Sequence, residues 1–359
     1  MEDAYGRRVR SRSRHLAFYV LACLSLALSG SILAQTAAPL VPTTPKPPPA
    51  PSRWLSLIGE YGKPDDKAYV LENNQRLVFR VHDQEQTFTP GGRGNAFVLN
   101  GEPAHFVKAA NGDVRELQVA SKSYPRLPFS AVTGGVFHIT HLKPVAELTQ
   151  AALRDHPPQE HGDFLPADLV DVTTVDSLVK LDVRYASTNN FLGTAVYQQA
   201  RAFLQRPAAD AVARADKRLR PLGYGLLIHD AYRPWYVTKV FWDATPEPLR
   251  KFVADPSQGS RHNRGCAVDI TLFDLKTGKE IPMTGVYDEM SDRSYPNYPG
   301  GTSLQRWHRD LLRQAMEDEG FKVFEFEWWH FDYKDWQRYP IENVTFNAIS
   351  PASKTAAAR

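Results

Sequence analysis

Cysteine is nearly absent from this chain of 359 residues, which contains only Cys23 and Cys266. Because Cys23 lies in a segment that we expect to be removed, the mature chain would keep one thiol and no internal disulfide. Gly-rich G-x-G-x-x-G and Walker-type loops are also missing, as are internal repeats. Because both of these nucleotide-binding motifs are missing, no motif in the sequence indicates a nucleotide site.

A strong net charge is missing as well. The formal charge of +3 comes from the first 34 residues, and the rest of the chain carries 38 basic and 38 acidic residues. A neutral body has no broad surface for neutralising phosphates, so nucleic acid is not the expected partner. Hydrophobic residues make up 42% of the chain, which is enough to bury a full core.

The N-terminus has the pattern of an export signal. Five arginines precede an apolar run over residues 16–28, and small residues follow up to Ala34. This pattern predicts a secretory signal over residues 1–34, and hence a protein of the bacterial periplasm or cell envelope. Two alternatives remain open: an uncleaved membrane anchor, and a lipid anchor on Cys23 after Leu21-Ala22.

The remaining chain divides by composition into four parts. Residues 35–53 are Pro-rich and predict an extended, solvated linker, and residues 348–359 predict a disordered tail. Residues 54–135 have short apolar runs separated by Asn73-Asn74 and Asn111-Gly112, which predict hairpins in a small β-rich accessory domain. Residues 136–347 mix helical and strand patterns without βαβ alternation, which favours an α+β fold.

Three segments of this last part contain the residue types that carry chemistry. They are SRHNRGCAVD (residues 260–269), EWWH (residues 327–330) and HDAYRP (residues 229–234). Imidazole and carboxylate groups are suitable zinc ligands, and catalytic zinc keeps three protein ligands. His262 and Asp269 can meet only if the chain reverses near Gly265, and His330 would be the third ligand.

Glu327 then lies close to the metal without binding it, where a carboxylate can move protons for the attacking water and the leaving amine. Residues three apart on a regular strand face opposite sides, so Glu327 and His330 share a site only if the strand bends or ends. Arg233 follows a buried strand and could stabilise an oxyanion; the alternative is a surface arginine paired with Asp230.

Taken together and in order, the motifs resemble the D-alanyl-D-alanine dipeptidases of the vancomycin-resistance type, within the lysostaphin, D-Ala-D-Ala metallopeptidase and hedgehog group. The resemblance extends from Leu169 to Tyr339. It is carried by LDVRYASTNNFLG, HDAYRP, SRHNRGCAVDITL, MTGVYDEMS and FEWWHFDY.

The resemblance implies an α+β domain with a central antiparallel sheet, flanking helices and one Zn²⁺ per chain. It implies hydrolysis of D-alanyl-D-alanine and a small dipeptide derived from peptidoglycan as the partner. The implied site residues are the zinc ligands His262, Asp269 and His330, the base Glu327, the intermediate-stabilising Arg233, and the pocket residues Tyr185, Ser260 and Asp288.

Two other functions remain open. One is a D,D-carboxypeptidase that acts on longer peptidoglycan stems, and the other is a non-enzymatic, zinc-containing cell-wall binding module. Three further residues are interpreted without a catalytic role: His138 and His141 as core or surface histidines, and His308 as a residue on a solvated helix face. Cys266 is interpreted as packing, with a fourth-ligand role as the minor alternative.

Overall fold

A computed structural model describes residues 40–91, 96–128, 132–133 and 135–349. The predicted signal over residues 1–34 lies outside the described residues, as does most of the tail predicted from residue 348. No helix in the described ranges is long and apolar enough to cross a membrane.

The N-terminal region is β-rich, as predicted. After a short helix, α1 (Ser52–Leu55), the chain forms two antiparallel sheets with sequential strand order. The first sheet contains β1 (Gly59–Lys63), β2 (Asp66–Asn73), β3 (Arg76–Val81) and β4 (Gln84–Thr87). The second contains β5 (Thr89–Pro90), β6 (Phe97–Leu99), β7 (Glu102–Lys108), β8 (Val114–Val119) and β9 (Lys122–Pro125).

Both predicted hairpins are present in this region. Asn74 and Gln75 connect β2 to β3 with positive φ angles of 48° and 62°, a conformation that asparagine tolerates better than most residues. Gly112, with φ 88°, lies in the turn between β7 and β8. Aromatic side chains pack edge to face between the two sheets and form a separate core; they are Tyr61, Phe79, Phe88, Phe97, Phe106 and Tyr124.

The C-terminal region is the predicted mixture of helices and strands. Its strands are β10 (Val132–Thr133), β11 (Val136–Phe137), β12 (Leu169–Asp171), β13 (Lys180–Leu181), β14 (Phe203–Gln205), β15 (Tyr224–Asp230), β16 (Ala267–Asp274), β17 (Phe321–Phe324) and β18 (Glu327–Tyr333). Its helices are α2 (Val145–Ala152), α3 (Val172–Val175), α4 (Arg206–Leu219), α5 (Trp235–Ala244) and α6 (Ser303–Glu317).

A five-stranded sheet forms the centre of this region, with strand order β13-β15-β16-β18-β17. The β13–β15 pair is parallel and the other neighbours are antiparallel. Every residue of β15 is buried, because helices cover the sheet. α6 begins with a capping box in which Thr302 and Gln305 exchange hydrogen bonds.

The described part of the Pro-rich segment is extended, as proline favours, but it lies against the C-terminal region. Leu40 is buried, and the Trp307 indole donates a hydrogen bond of 3.0 Å to the Thr44 carbonyl. The Lys46 ammonium lies 5.1 Å from the centre of the Tyr224 ring. Residues 40–46 therefore contribute to the packing of α6 and β15.

Candidate metal centre and active site

Three adjacent strands of the central sheet align the polar residues of the site. Asp230 at the end of β15 lies opposite Asp269 on β16, and Asp269 lies opposite His330 on β18. Side chains directly opposite each other in an antiparallel pair are within contact distance. Strand register therefore brings together residues that are 39 and 61 positions apart in the sequence.

His262 reaches the same place through a tight chain reversal. It lies in a 3-10 turn (His262–Arg264), and Gly265 follows with a φ of 65° before β16 begins. A β-carbon at Gly265 would lie 2.4 Å from the Leu169 side chain, so any other residue would be strained in φ and would have to displace Leu169. The reversal that the sequence requires is thus built by this glycine.

The three proposed ligand atoms have the spacing of a metal site. His262 Nε2 lies 3.1 Å from His330 Nδ1, and Asp269 Oδ1 lies 3.3 Å and 3.1 Å from these two nitrogens. Ligand atoms at zinc–ligand distances in tetrahedral geometry are about 3.3 Å apart. Within the described part of the chain, these three buried residues form the group able to hold a metal.

The hydrogen bonds of the two histidines leave their facing nitrogens free for a cation. His262 Nδ1 lies 2.6 Å from the Ala231 carbonyl, and His330 Nε2 lies 2.9 Å from Asp332 Oδ1. Since an oxygen acceptor holds a proton on each of these nitrogens, the facing nitrogens are the ones that would bind a cation. Asp269 Oδ1, beside them, is buried without a hydrogen-bond partner among the described residues. The residues present therefore fit a bound Zn²⁺.

The charges of the site also favour a cation. Burial alone would lower the pKa of His330, but the carboxylates of Asp332 and Asp269 raise it to about 10. Burial opposes ionisation of Asp269, yet the two imidazoles hold its pKa well below the usual range. Burial raises the pKa of Glu327 to about 8, and a cation bound nearby would lower it again.

A bulge places Glu327 beside the ligands. Phe324 of β17 pairs with Glu327, whereas the preceding residue, Val323, pairs with Phe331. Residues 328–330 therefore have no partner on β17, and the irregular strand turns both Glu327 and His330 toward the site. Glu327 Oε2 lies 3.6 Å from His330 Nδ1, so the two side chains share one site although they are three residues apart on a strand.

Arg233 is buried in the pocket and is not a surface residue, although it is paired with Asp230. Its Nε and Nη2 lie 2.9 Å and 2.8 Å from Asp230 Oδ2. Tyr197 donates to the other oxygen of Asp230 at 2.8 Å, and the guanidinium lies 4.6 Å from the centre of the Phe241 ring. Nη2 is also 3.6 Å from Asp269, so the charge is held at the edge of the proposed metal site.

The three predicted substrate-binding residues line the same pocket. The Tyr185 hydroxyl donates to Asp288, with 3.0 Å and 2.9 Å to the two carboxylate oxygens. Asp288 has a φ of 59°, rare for a residue other than glycine, and burial beside Asp269 and Glu327 raises its pKa well above the usual range. The Ser260 hydroxyl accepts from the His262 amide at 3.2 Å.

The pocket is small. Its cavity of about 100 Å³ has room for about three water molecules at the volume that water takes in the liquid. The apolar wall of the pocket includes Phe191, Phe241 and Trp329. The charged groups described above form its polar wall. Such a pocket suits a short substrate with polar ends.

The residues interpreted without a catalytic role have different outcomes. Cys266 is fully buried and burial raises the pKa of its thiol to about 12, so it packs as a neutral group outside the ligand set. His141 is hydrogen-bonded to the Leu192 carbonyl at 2.6 Å and, like His138, is absent from that set. The prediction for His308 was wrong: it is buried, 2.9 Å from the Tyr224 hydroxyl, on the inner face of α6.

Sequence reasoning missed two residues that hold the ligands. Asp332 shares a strand face with His330, and the spacing of two on a strand was the signal for it. The Tyr287 hydroxyl donates to Asp269 Oδ2 at 2.9 Å, but nothing in the sequence pattern indicates this contact.

Comparisons with known proteins point to one family of dipeptidases. A family profile described as D-ala-D-ala dipeptidase, Peptidase_M15, matches residues 166–349. A D-alanyl-D-alanine dipeptidase of Escherichia coli (strain K12) is 35% identical over 188 residues, covering 52% of this chain and 96% of that protein. Two proteins with the same name, from Enterococcus faecium and Streptomyces coelicolor, are 35% and 33% identical; the aligned regions cover 47% and 46% of this chain and 92% of each relative.

The profile covers half of the chain, and it includes all of the predicted metal ligands and Glu327. The relatives are matched over nearly their full length, so the N-terminal β-rich region is an addition to a complete domain. This chain belongs to the D-ala-D-ala dipeptidase family of metallopeptidases, Peptidase_M15.

Proposed function

We propose that the protein is a zinc-dependent dipeptidase that hydrolyses D-alanyl-D-alanine. The observation that carries the proposal is the convergence of His262, Asp269 and His330, with Glu327 beside them, in one small pocket. Membership of the family supports the substrate class. When bound to the three ligands, zinc would supply Lewis-acid activation of the attacking water and of the peptide carbonyl.

Glu327 is the general base and acid of this proposal. Its carboxylate lies at the edge of the ligand set and does not belong to it, so it stays free to exchange protons. It accepts the proton of the attacking water and then donates it to the leaving amine. Burial raises its pKa and a cation bound nearby would lower it, so these opposing effects would hold the carboxyl group ready both to accept and to release a proton.

Arg233 stabilises the oxyanion that develops on the peptide carbonyl. The carboxylate of Asp230 and the ring of Phe241 hold its guanidinium in one place, so little reorganisation is needed during the reaction. Because Arg233 remains charged at any physiological pH, its donors are always present.

The two ends of the substrate meet different groups. Asp288 accepts the ammonium group, which would favour the ionised carboxylate that burial disfavours in the free protein. Tyr185 orients Asp288, and Ser260 lines the wall beside His262. A free ammonium recognised this close to the reacting carbonyl favours a dipeptide over the longer stems of a carboxypeptidase.

The place of action that we propose is the bacterial periplasm or cell envelope. The basis is the arginine-rich and apolar pattern of residues 1–34. There the dipeptide would be derived from peptidoglycan.

Replacement of Glu327 tests the mechanism. Glu327→Ala should keep one zinc per chain and lose about 10²- to 10⁴-fold in kcat on D-Ala-D-Ala, because proton transfer is lost while the ligands remain. Zinc content and D-alanine release are the measurements. Glu325→Ala is the matched control, since Glu325 is an exposed acid in the adjacent turn and should leave both unchanged.

Full activity of Glu327→Ala would reject the mechanism. A panel with D-Ala-D-Ala, L-Ala-L-Ala and a pentapeptide stem tests the substrate. Faster cleavage of the stem than of the dipeptide would favour the carboxypeptidase alternative, and wall binding without any hydrolysis would favour the binding module.

A further inference from the structure

Asp288 is presented by a loop that is stiffened mainly by its own hydrogen bonds. This segment, residues 284–294, is called here the Asp288 loop. Glu289 is buried inside it, with Oε2 accepting from the Val286 amide at 3.1 Å and Oε1 accepting from the Ser291 hydroxyl at 2.8 Å. The Ser294 hydroxyl donates to the Glu289 carbonyl. The loop is therefore internally rigid, and its contacts with the rest of the protein, which include the Tyr185–Asp288 hydrogen bonds, decide where it places Asp288.

The β1–β2 hairpin of the N-terminal region contacts one end of this loop. The Lys67 ammonium lies 2.8 Å from Asp292 Oδ2 and 3.0 Å from Glu60 Oε2, so a half-buried lysine joins β1, β2 and the loop. Two carboxylates around one partly desolvated ammonium bind it more strongly than an exposed pair would.

The same hairpin holds the chain that leaves the loop. The buried Glu72 carboxylate accepts from the Ser303 amide at 2.7 Å at the start of α6, and its backbone amide donates to the Gly301 carbonyl at 3.1 Å. Arg306 donates to the Glu72 carbonyl at 2.8 Å. The hairpin is thus anchored on α6, and Lys67 reaches from that anchor to the Asp288 loop.

A cleft lies beside this contact. The cleft of about 230 Å³ is lined by Glu60 and Lys67 on the hairpin side and by Glu289 and Ser291 on the loop side. Glu289 also lines the pocket that contains Asp288. A shift of the hairpin would therefore be transmitted to Asp288 through its neighbour Glu289.

We propose that the β1–β2 hairpin is a positioning element of the active site: through Lys67 and Asp292 it fixes the Asp288 loop, so that the N-terminal β-rich region sets the requirement for a free ammonium group on the substrate. The family profile matches residues 166–349, so the contact is made by a part of this chain that lies outside the profile. The inference rests on the proposed function, since Asp288 is taken as the ammonium acceptor.

Lys67→Met tests this inference by a split between KM and kcat. The variant keeps the aliphatic contacts and loses the charge, so KM for D-Ala-D-Ala should rise about fivefold with kcat changed less than about twofold. KM for N-acetyl-D-Ala-D-Ala, which has no ammonium group, should not change. Lys67→Arg should restore the wild-type preference for the free amine.

Arg80→Met is the matched control, because Arg80 makes an exposed pair with Asp83 on β3 of the same sheet. It should change none of these values. An unchanged KM in Lys67→Met, or a lower kcat at unchanged KM, would overturn the proposal.

Hydrogen exchange of residues 284–294 separates this proposal from the function. Lys67→Met should speed exchange there while α4 stays protected, whether or not the protein hydrolyses D-Ala-D-Ala. If the wild-type protein has no dipeptidase activity, the function fails, and exchange alone decides the positioning role. Unchanged exchange in Lys67→Met would reject it.

Discussion

Asp332 is the residue that orients the proposed metal-binding nitrogen of His330. Its carboxylate accepts from His330 Nε2 at 2.9 Å, which fixes the ring so that Nδ1 faces Asp269. We expect Asp332→Asn to weaken zinc binding about 10- to 100-fold, because the carboxylate raises the basicity of the ligand. Zinc titration against a competing chelator is the measurement, and activity at saturating zinc should recover to near the wild-type value.

Asp335→Asn is the control for this prediction. Asp335 lies three residues further along the chain and its side chain does not contact either histidine. Equal zinc affinities for the two variants would mean that Asp332 does not tune the ligand.

For single residues, the sequence predicts the proposed ligands and base of the site better than it predicts the groups that orient them. His262, Asp269, His330 and Glu327 are recognisable because their side chains have few other uses in that combination. The Ala231 carbonyl cannot be predicted, because every residue has one and only the fold aims it at His262. Asp332 carries a signal, the alternation of a strand, that is readable only once residues 327–333 are known to be a strand.

Among the elements, the turn at Gly265 is the most constrained. Gly265→Ala should cost more than about 2 kcal/mol of the free energy of unfolding, because a left-handed φ adds about 1–2 kcal/mol to the displacement of Leu169. It should also weaken zinc binding, since His262 moves with the turn. Denaturant unfolding with and without a chelator is the measurement.

Gly223→Ala separates the two contributions to that cost. Gly223 also has a left-handed φ, 86°, but a β-carbon there would meet nothing within 4 Å. Gly223→Ala should therefore lower the free energy of unfolding by about 1 kcal/mol and leave the zinc affinity unchanged. A loss as large as that of Gly265→Ala would remove the steric part of the explanation.

The elements show where strand patterns stop being informative. The regular period of two gives the hairpins of the N-terminal sheets, whose turns contain Asn74 and Gly112. It does not give the bulge at residues 328–330, because a bulge depends on the pairing partner on β17 and not on the strand's own residues.

For the whole molecule, His308 makes stability depend on pH. It lies where α6 and β15 meet, close to Lys46 of the Pro-rich segment, and burial together with that positive charge lowers its pKa from 6.5 to about 4. A histidine that is harder to protonate when folded favours folding above pH 6.5 and loses that stability as the pH falls toward 4. The free energy of unfolding should be about 2 kcal/mol lower at pH 5 than at pH 7.5 from this group.

His308→Gln should remove this part of the pH dependence and keep an acceptor for Tyr224. The measurement is denaturant unfolding at both pH values, and His105→Gln, an exposed histidine on β7, is the control that should retain the wild-type slope. If the free energy of unfolding of His308→Gln falls with decreasing pH as steeply as that of the wild type, other groups cause the loss of stability in acid.

The position of His308 also shows why packing between distant segments cannot be predicted from the local sequence pattern. Its charged and polar neighbours on α6 suggest a solvated face, but Tyr224 and the Pro-rich segment, more than 80 residues earlier in the chain, cover it. The contacts of Lys67 and Glu72 with the C-terminal region are equally distant in sequence.

The origin of the three ligands in a turn and two neighbouring strands has a thermodynamic consequence. An ion held there would cross-link the His262 turn, β16 and β18, which come together only in the native state. Each tenfold rise in free ion above its dissociation constant would then add about 1.4 kcal/mol to folding. The melting temperature of the protein would become a gauge of the free zinc concentration around it.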